Sequence, residues 1–153
     1  MGFIRRRQAH EALIHRVDAE LAAESRSPMD PRLSTDGVDE VLRIMHGGDL
    51  PEWGTFTAGD GAAVRLQATD TGESWLVTLG QFTGVDPSDQ ARYDQPGIQV
   101  ASAPEAESAA SIRGSAADLD CWLWRRPALM PVERSGDPEV LSAFDSMIAS
   151  GIN

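Results

Sequence analysis

The sequence predicts an α+β fold, in which helices at both ends of the chain pack on a mostly antiparallel sheet of about five strands. Three observations support this class. Apolar residues recur at helical spacing near both ends of the chain, short segments of strand composition occupy the middle, and turn signals separate those segments. Strands that follow one another between helices, without βαβ alternation, are typical of α+β domains.

Two helices are predicted in the N-terminal third. The first covers residues 3–23, and its apolar face consists of Leu13, Ile14, Val17 and Leu21. The second begins at a cap formed by Ser34 or Thr35 and runs to about His46, where a pair of glycines ends it. Between the two helices, prolines and polar residues predict a connection.

The middle of the chain has the composition of short strands. The predicted strands cover residues 55–58, 63–69, 75–79, 99–102 and 108–113. Residues 70–73 read Asp-Thr-Gly-Glu and predict a hairpin turn. Residues 83–97 are polar and contain two prolines and two glycines, so they are predicted to form an exposed loop.

Two further helices follow the predicted sheet. Ser115 is the predicted N-cap of a helix over residues 116–126. The stretch after it is predicted to be a connection. Asp137 is the predicted cap of the last helix, with Pro138 at its first position and Gly151 as a C-terminal stop.

Composition limits the function classes. The chain has 153 residues with 13 basic and 24 acidic side chains, for a net charge of −11. Such a surface repels phosphate backbones, so nucleic acid is not an expected partner. The sequence has no apolar run long enough to span a membrane and no secretory signal pattern, so no membrane role is expected. A single cysteine, Cys121, cannot form an internal disulfide, and a cytoplasmic location is the simplest interpretation.

Glu11 and His15 are the candidate metal ligands. They are four residues apart on the first predicted helix, so their side chains project side by side, and Asp18 extends the same stripe. A carboxylate and an imidazole in this arrangement can both bind one Zn²⁺ ion. His10 projects in a different direction from His15, so the pair does not match a metalloprotease motif. The alternative for Glu11 and His15 is a solvated polar face with no metal.

Arg125 and Arg126 end the third predicted helix, where cations complement the helix dipole. The functional alternative to this structural role is anion binding, since a guanidinium group matches the geometry of a carboxylate. Cys121, in the same helix, is predicted to be a buried structural thiol.

Stretches at both ends of the chain resemble one family. "RRRQAHEALIHRVDAELAA", followed by "DPRLSTDGVDEVL", is similar to the end of the DinB-like helical bundle in mycothiol-dependent maleylpyruvate isomerases. "IRGSAADLDCWLWRRP" and "GDPEVLSAF" resemble the C-terminal domain of that family, and "VRLQATDTGESWLV" fits a hairpin between them. The resemblance implies that residues 1–24 are the last bundle helix, 25–50 a connecting helical region, and 51–153 a domain similar to sterol carrier protein 2.

The same resemblance implies a site. Family members hold a zinc-type metal with a histidine from an early bundle helix and a Glu–His pair from the last one, which Glu11 and His15 match. Mycothiol is the implied thiol cofactor. Arg126 matches an arginine that the family uses near its active site, although Arg125 stands where glycine is common. The early bundle helices and their histidine have no counterpart in these 153 residues.

Two functions therefore compete. The first is a non-catalytic module that binds a small molecule or a partner protein. The alternative is part of a metal- and mycothiol-dependent isomerase or thiol transferase, whose site is completed by another chain or by upstream sequence. A homodimer formed through the apolar stripe of the N-terminal helix is a further expectation.

Overall fold

The computed structural model describes residues 2–101 and 106–151 and confirms the α+β class. The helices are α1 (Gly2–Ala22), α2 (Pro31–Glu40), α3 (Ala116–Leu123) and α4 (Pro138–Gly151). The strands are β1 (Gly54–Ala68), β2 (Ser74–Val85), β3 (Arg92–Val100), β4 (Ala110–Gly114) and β5 (Glu133–Gly136). A π-helical turn, Val41–His46, continues α2 without a break. Within the described ranges, no helix is long and apolar enough to cross a membrane.

The five strands form one sheet in the order β3-β2-β1-β4-β5. Neighbouring strands are antiparallel except β1 and β4, which run parallel, so the predicted mostly antiparallel sheet is confirmed. The register of β1 against β2 shifts between Ala58 and Ala63. The segments predicted as two strands, 55–58 and 63–69, are therefore one strand interrupted by a β-bulge.

The core lies on one face of this sheet, where the helices pack. Alternate strand residues point into it, as the alternation in β1 predicts. The fully or nearly fully buried members from the strands are Val64, Leu66, Ala68, Trp75, Val77, Leu79, Ile98, Ala110 and Ile112. Those from the helices and the π-helical turn are Ile14, Val38, Val41, Leu42, Ala116, Leu119, Leu123, Phe144 and Ile148. Helices from both ends of the chain thus share one core with the sheet.

The prediction of an exposed loop over residues 83–97 was wrong. Strand β2 continues to Val85 and β3 begins at Arg92, so only residues 86–91 form the turn. β3 is an edge strand with few buried side chains, and it therefore lacks the apolar alternation that would reveal it. An edge strand also tolerates Pro96. The exposed edge strand β5 was predicted as a connection for the same reason.

Helix boundaries follow their caps. Asp30, and not Ser34 or Thr35, caps α2: its carboxylate accepts a hydrogen bond from the Leu33 amide. The predicted caps of the last two helices are confirmed, since Ser115 accepts from the Asp118 amide and Asp137 from the Glu139 amide. α3 is shorter than predicted and ends at Leu123.

The apolar face of α1 packs on the rest of the chain. Leu13, Ile14 and Val17 are buried, and Leu21 is partly buried. Leu13 and Val17 form a small cluster with Met29 and with Cys121 of α3. The dimer prediction rested on this apolar face being exposed. The chain itself covers the face, so this reason for a dimer no longer applies.

Candidate functional site

The opposite face of α1 carries the predicted metal ligands. The side chains of Glu11, His15 and Asp18 retain 54%, 75% and 37% of their accessible surface. They follow one another along the helix at spacings of four and three residues, so they form a continuous polar stripe. We call these three residues the α1 stripe. It faces away from the core.

Arg126 comes to the α1 stripe from the end of α3. Its Nε lies 2.8 Å from Asp18 Oδ1 and its Nη2 lies 2.9 Å from Asp18 Oδ2, which is a two-point ion pair. The backbone makes this approach possible, because Arg125 adopts a positive φ of 58° and reverses the chain. The Arg126 amide then donates to the Cys121 carbonyl at 2.8 Å. Residues 108 positions apart in the sequence therefore meet.

The ion pair changes the proton affinities of both partners. The hydrogen bond from Arg126 holds the pKa of the Asp18 carboxyl below its usual value. The same hydrogen bond raises the pKa of the Arg126 guanidinium. His15 lies beside this pair, with Nδ1 at 3.7 Å from Asp18 Oδ2, which is too long for a hydrogen bond. Asp18 is thus ionised and already occupied by Arg126.

Glu11 is also engaged. Its Oε1 accepts a hydrogen bond of 2.6 Å from Arg7 Nη2, one helical turn earlier. Nη1 of the same arginine donates to the buried carboxylate of Glu40 at 2.9 Å. A metal that took Glu11 as a ligand would have to compete with Arg7. Arg7 therefore connects the exposed α1 stripe to the buried side of the helix.

The described residues do not form a complete metal site. No group of three histidine, cysteine or carboxylate side chains within residues 2–101 and 106–151 is arranged to hold an ion. Glu11 and His15 supply two donors, whereas protein zinc sites have at least three protein ligands. The residues present therefore supply two of the three protein ligands that the resemblance implies.

His10 lies on the buried face of α1. Only 1% of its surface is exposed, and its Nε2 lies 2.7 Å from Asp36 Oδ2 of α2. Its Nδ1 is buried, with no hydrogen-bond partner in the described part of the chain. His10 therefore contributes to helix packing, in agreement with the prediction that it projects in a different direction from His15.

Buried polar side chains that the sequence reasoning missed lie between α1, α2 and α3. Glu40 and Asp120 are fully buried, and both Asp120 oxygens lack a partner among the described residues. Burial, with the nearby Glu40 carboxyl adding to it, raises the pKa of Asp120 to about 8. The Asp120 carboxylate lies so close to Gly37 that a Cβ there would be 2.7 Å from Oδ2. The sequence feature that could have indicated this contact is the spacing of Ser34 and Gly37, two small residues of α2 that permit the close approach of another helix.

Cys121 and Arg125, the remaining candidate residues, contact other parts of the fold. Cys121 is buried with its Sγ 3.5 Å from Met29 Sδ, and burial raises the pKa of the thiol, so the predicted structural thiol is confirmed. Arg125 is exposed, and its Nη1 donates to the Ala149 carbonyl of α4 at 3.4 Å. Of the two arginines, only Arg126 reaches the α1 stripe.

Comparison with known protein families matches residues 32–143 to the MDMPI C-terminal domain, which is well over half of the chain. The match begins inside α2 and ends inside α4, so it includes Arg126 and all five strands. Neither the curated proteins nor the solved structures provide a significant match.

Proposed function

Because the chain belongs to the family of MDMPI C-terminal domains, we propose that it acts as a non-catalytic binding module of a mycothiol-dependent maleylpyruvate isomerase-type protein, with the α1 stripe as its binding surface. One observation carries this proposal. α1 buries Leu13, Ile14 and Val17 in its own chain and leaves Glu11, His15 and Asp18 exposed. The stripe is thus held rigidly and is accessible to a partner.

The stripe offers a partner an incomplete metal site. Glu11 and His15 can supply two ligands, and a histidine or carboxylate of the partner would supply the third. Arg7 and Arg126 pair with Glu11 and Asp18, which offsets the repulsion between these two carboxylates, but a metal would have to displace Arg7 from Glu11. Binding would then be strongest when the metal and the partner are both present.

The alternative is that this assembly is a metal- and mycothiol-dependent isomerase or thiol transferase. The observation that favours it is the position of Arg126 at the stripe. If Arg126 were released from Asp18, its guanidinium could pair with a carboxylate of a substrate or of the thiol cofactor. Zinc and mycothiol belong to this proposal through the resemblance, and the cytoplasmic location predicted from the sequence is kept as part of it.

Zinc titration against a competing chelator tests whether Glu11 and His15 bind the metal. We expect weak binding by the isolated chain, because two ligands do not hold the ion firmly. Glu11→Gln and His15→Ala should each weaken this binding further, whereas Glu139→Gln, an exposed carboxylate on α4, should leave it unchanged. Tight one-to-one binding that Glu11→Gln abolishes would contradict the proposal, and so would weak binding that neither stripe variant changes.

Homodimer formation through α1 stays a prediction, and the α1 stripe is one exposed surface of this helix through which two copies could pair. Pairing two stripes brings two Glu11–His15 pairs together and offers a metal four ligands. We therefore expect sedimentation equilibrium to give a monomer in chelator and a dimer with Zn²⁺, and His15→Ala should prevent the dimer. A metal-independent dimer that His15→Ala does not affect would exclude this arrangement.

A further inference from the structure

A groove of about 640 Å³ lies where β3, α4 and the π-helical turn meet. Its apolar lining consists chiefly of Met45, Ile98, Ala143 and Met147. Its polar groups are His46, Gln95, Ser146 and Ser150. Small-molecule sites have volumes of about 300–1,000 Å³ and combine a mostly apolar lining with a few polar groups. The groove matches that description in both size and lining.

A second hollow of about 220 Å³ adjoins the groove, and His46 lines both. It shares residues 95–98 of β3 with the first and adds Leu50, Phe56 and Phe82. Behind Phe82, the ring of Trp53 packs at 5.8 Å from Phe82. A ring-shaped ligand body would therefore find apolar surface in the first hollow and aromatic surface in the second, with His46 lining both.

The π-helical turn sets the position of His46, which lines both hollows. π-helical turns often occur at functional sites. The turn ends at Gly47, where a Cβ would lie 2.5 Å from the Leu42 carbonyl oxygen, so the close approach requires glycine. Nε2 of His46 is buried without a hydrogen-bond partner in the described ranges. Burial lowers the pKa of the imidazole, which is therefore neutral at pH 7.

The lining of the larger hollow selects against charged ligands. None of its ten residues is Asp, Glu, Lys or Arg, although these types make up 24% of the chain. A ligand carboxylate or ammonium group would lose water there without gaining a counter-ion. A hydroxyl group, in contrast, is a suitable partner for a neutral imidazole.

We propose that this groove binds a small neutral molecule with an apolar ring-sized body and a hydroxyl group, the body resting on Met45 and Met147 and the hydroxyl reaching His46. The two methionines are unbranched and adapt to the shape of a ligand at low cost, which gives the hydroxyl access to the covered Nε2. This proposal keeps the binding role proposed above but assigns a small ligand to a different surface from the α1 stripe. Its test is therefore independent of the zinc titration.

Titration of the intact chain with 2-naphthol, 2-naphthoate and naphthalene, followed by calorimetry or fluorescence, tests the proposal. We expect 2-naphthol to bind about tenfold or more tightly than the anionic naphthoate, because burying an unpaired carboxylate costs more than the 1.4 kcal/mol that this ratio represents. His46→Phe should remove the preference for 2-naphthol over naphthalene. Amide chemical shifts of Gly97 and Ile98 should move on binding.

Two substitutions on α4 provide a matched pair. Met147→Glu places a carboxylate in the groove and should weaken 2-naphthol binding about tenfold or more. Ser142→Glu, at an exposed position of the same helix that does not line the groove, should change it less than about twofold, with both variants keeping the parent's thermal unfolding profile. Equal affinity for naphthol and naphthoate, binding that Met147→Glu does not affect, or no naphthol binding at millimolar concentration would each overturn the proposal.

Discussion

The two faces of α1 place the same residue type in opposite environments. His15 is three-quarters exposed and lies beside the Asp18–Arg126 ion pair. His10, five residues earlier, is buried against Asp36 of α2. On the exposed face the carboxylates have cationic partners, whereas on the buried side Asp120 has no hydrogen-bond partner within the described residues. The exposed face can exchange partners with little cost, and the buried one determines how the three helices fit together.

Alanine substitution of the two histidines should give the largest contrast. His10→Ala removes a buried ring and leaves Asp36 without one of its partners, so we expect it to lower the free energy of unfolding by about 3 kcal/mol. His15→Ala should change it by less than about 0.5 kcal/mol, as is usual for exposed positions. Urea denaturation measures both. Equal losses from the two variants would show that the faces do not differ in this way.

The pH dependence of the free energy of unfolding should show whether the buried Asp120 carboxyl is protonated in the folded chain. The pKa of Asp120 in the folded chain, about 8, lies above the usual value of 3.8, so folding favours the protonated form. The folded state then binds more protons than the unfolded one between these values, and stability must fall as the pH rises through that range. Asp120→Asn removes this dependence and should stabilise the chain by about 3 kcal/mol at about pH 7 relative to its effect at about pH 5.

The measurement is urea denaturation of the parent and of Asp120→Asn across that pH range. Asp60→Asn, which alters an exposed carboxyl in the bulge of β1, is the control and should retain the slope of the parent. Carboxyls with a lowered pKa, such as Asp18 and Asp36, contribute with the opposite sign, but they are common to both proteins and cancel in the difference. An unchanged slope in Asp120→Asn would mean that Asp120 is ionised in the fold.

The sequence predicted elements whose apolar residues repeat, and it missed those whose stability comes from neighbours. α1, α4 and the inward-facing residues of β1 have the expected periodicity, and each was predicted. β3 and β5 are exposed edge strands without alternation, so no local pattern reveals them. The same distinction applies to the candidate site. Helical spacing was enough to predict that Glu11 and His15 lie side by side, whereas the Asp18–Arg126 contact depends on where α3 ends against α1.

A double-mutant cycle on Asp18 and Arg126 addresses that contact and should give the smallest effect. Their side chains retain 37% and 30% of their accessible surface, so solvent screens the pair, and we expect a coupling of about 0.5–1 kcal/mol from Asp18→Asn and Arg126→Gln. The coupling should be present at neutral pH and disappear as the pH falls through the lowered pKa of Asp18, where the carboxylate becomes protonated. Adding salt should also reduce it. A coupling near zero at neutral pH and low salt would mean that Arg126 does not rest on the α1 stripe in solution, and a coupling well above about 2 kcal/mol would place the pair with the buried polar groups on the other face of the helix.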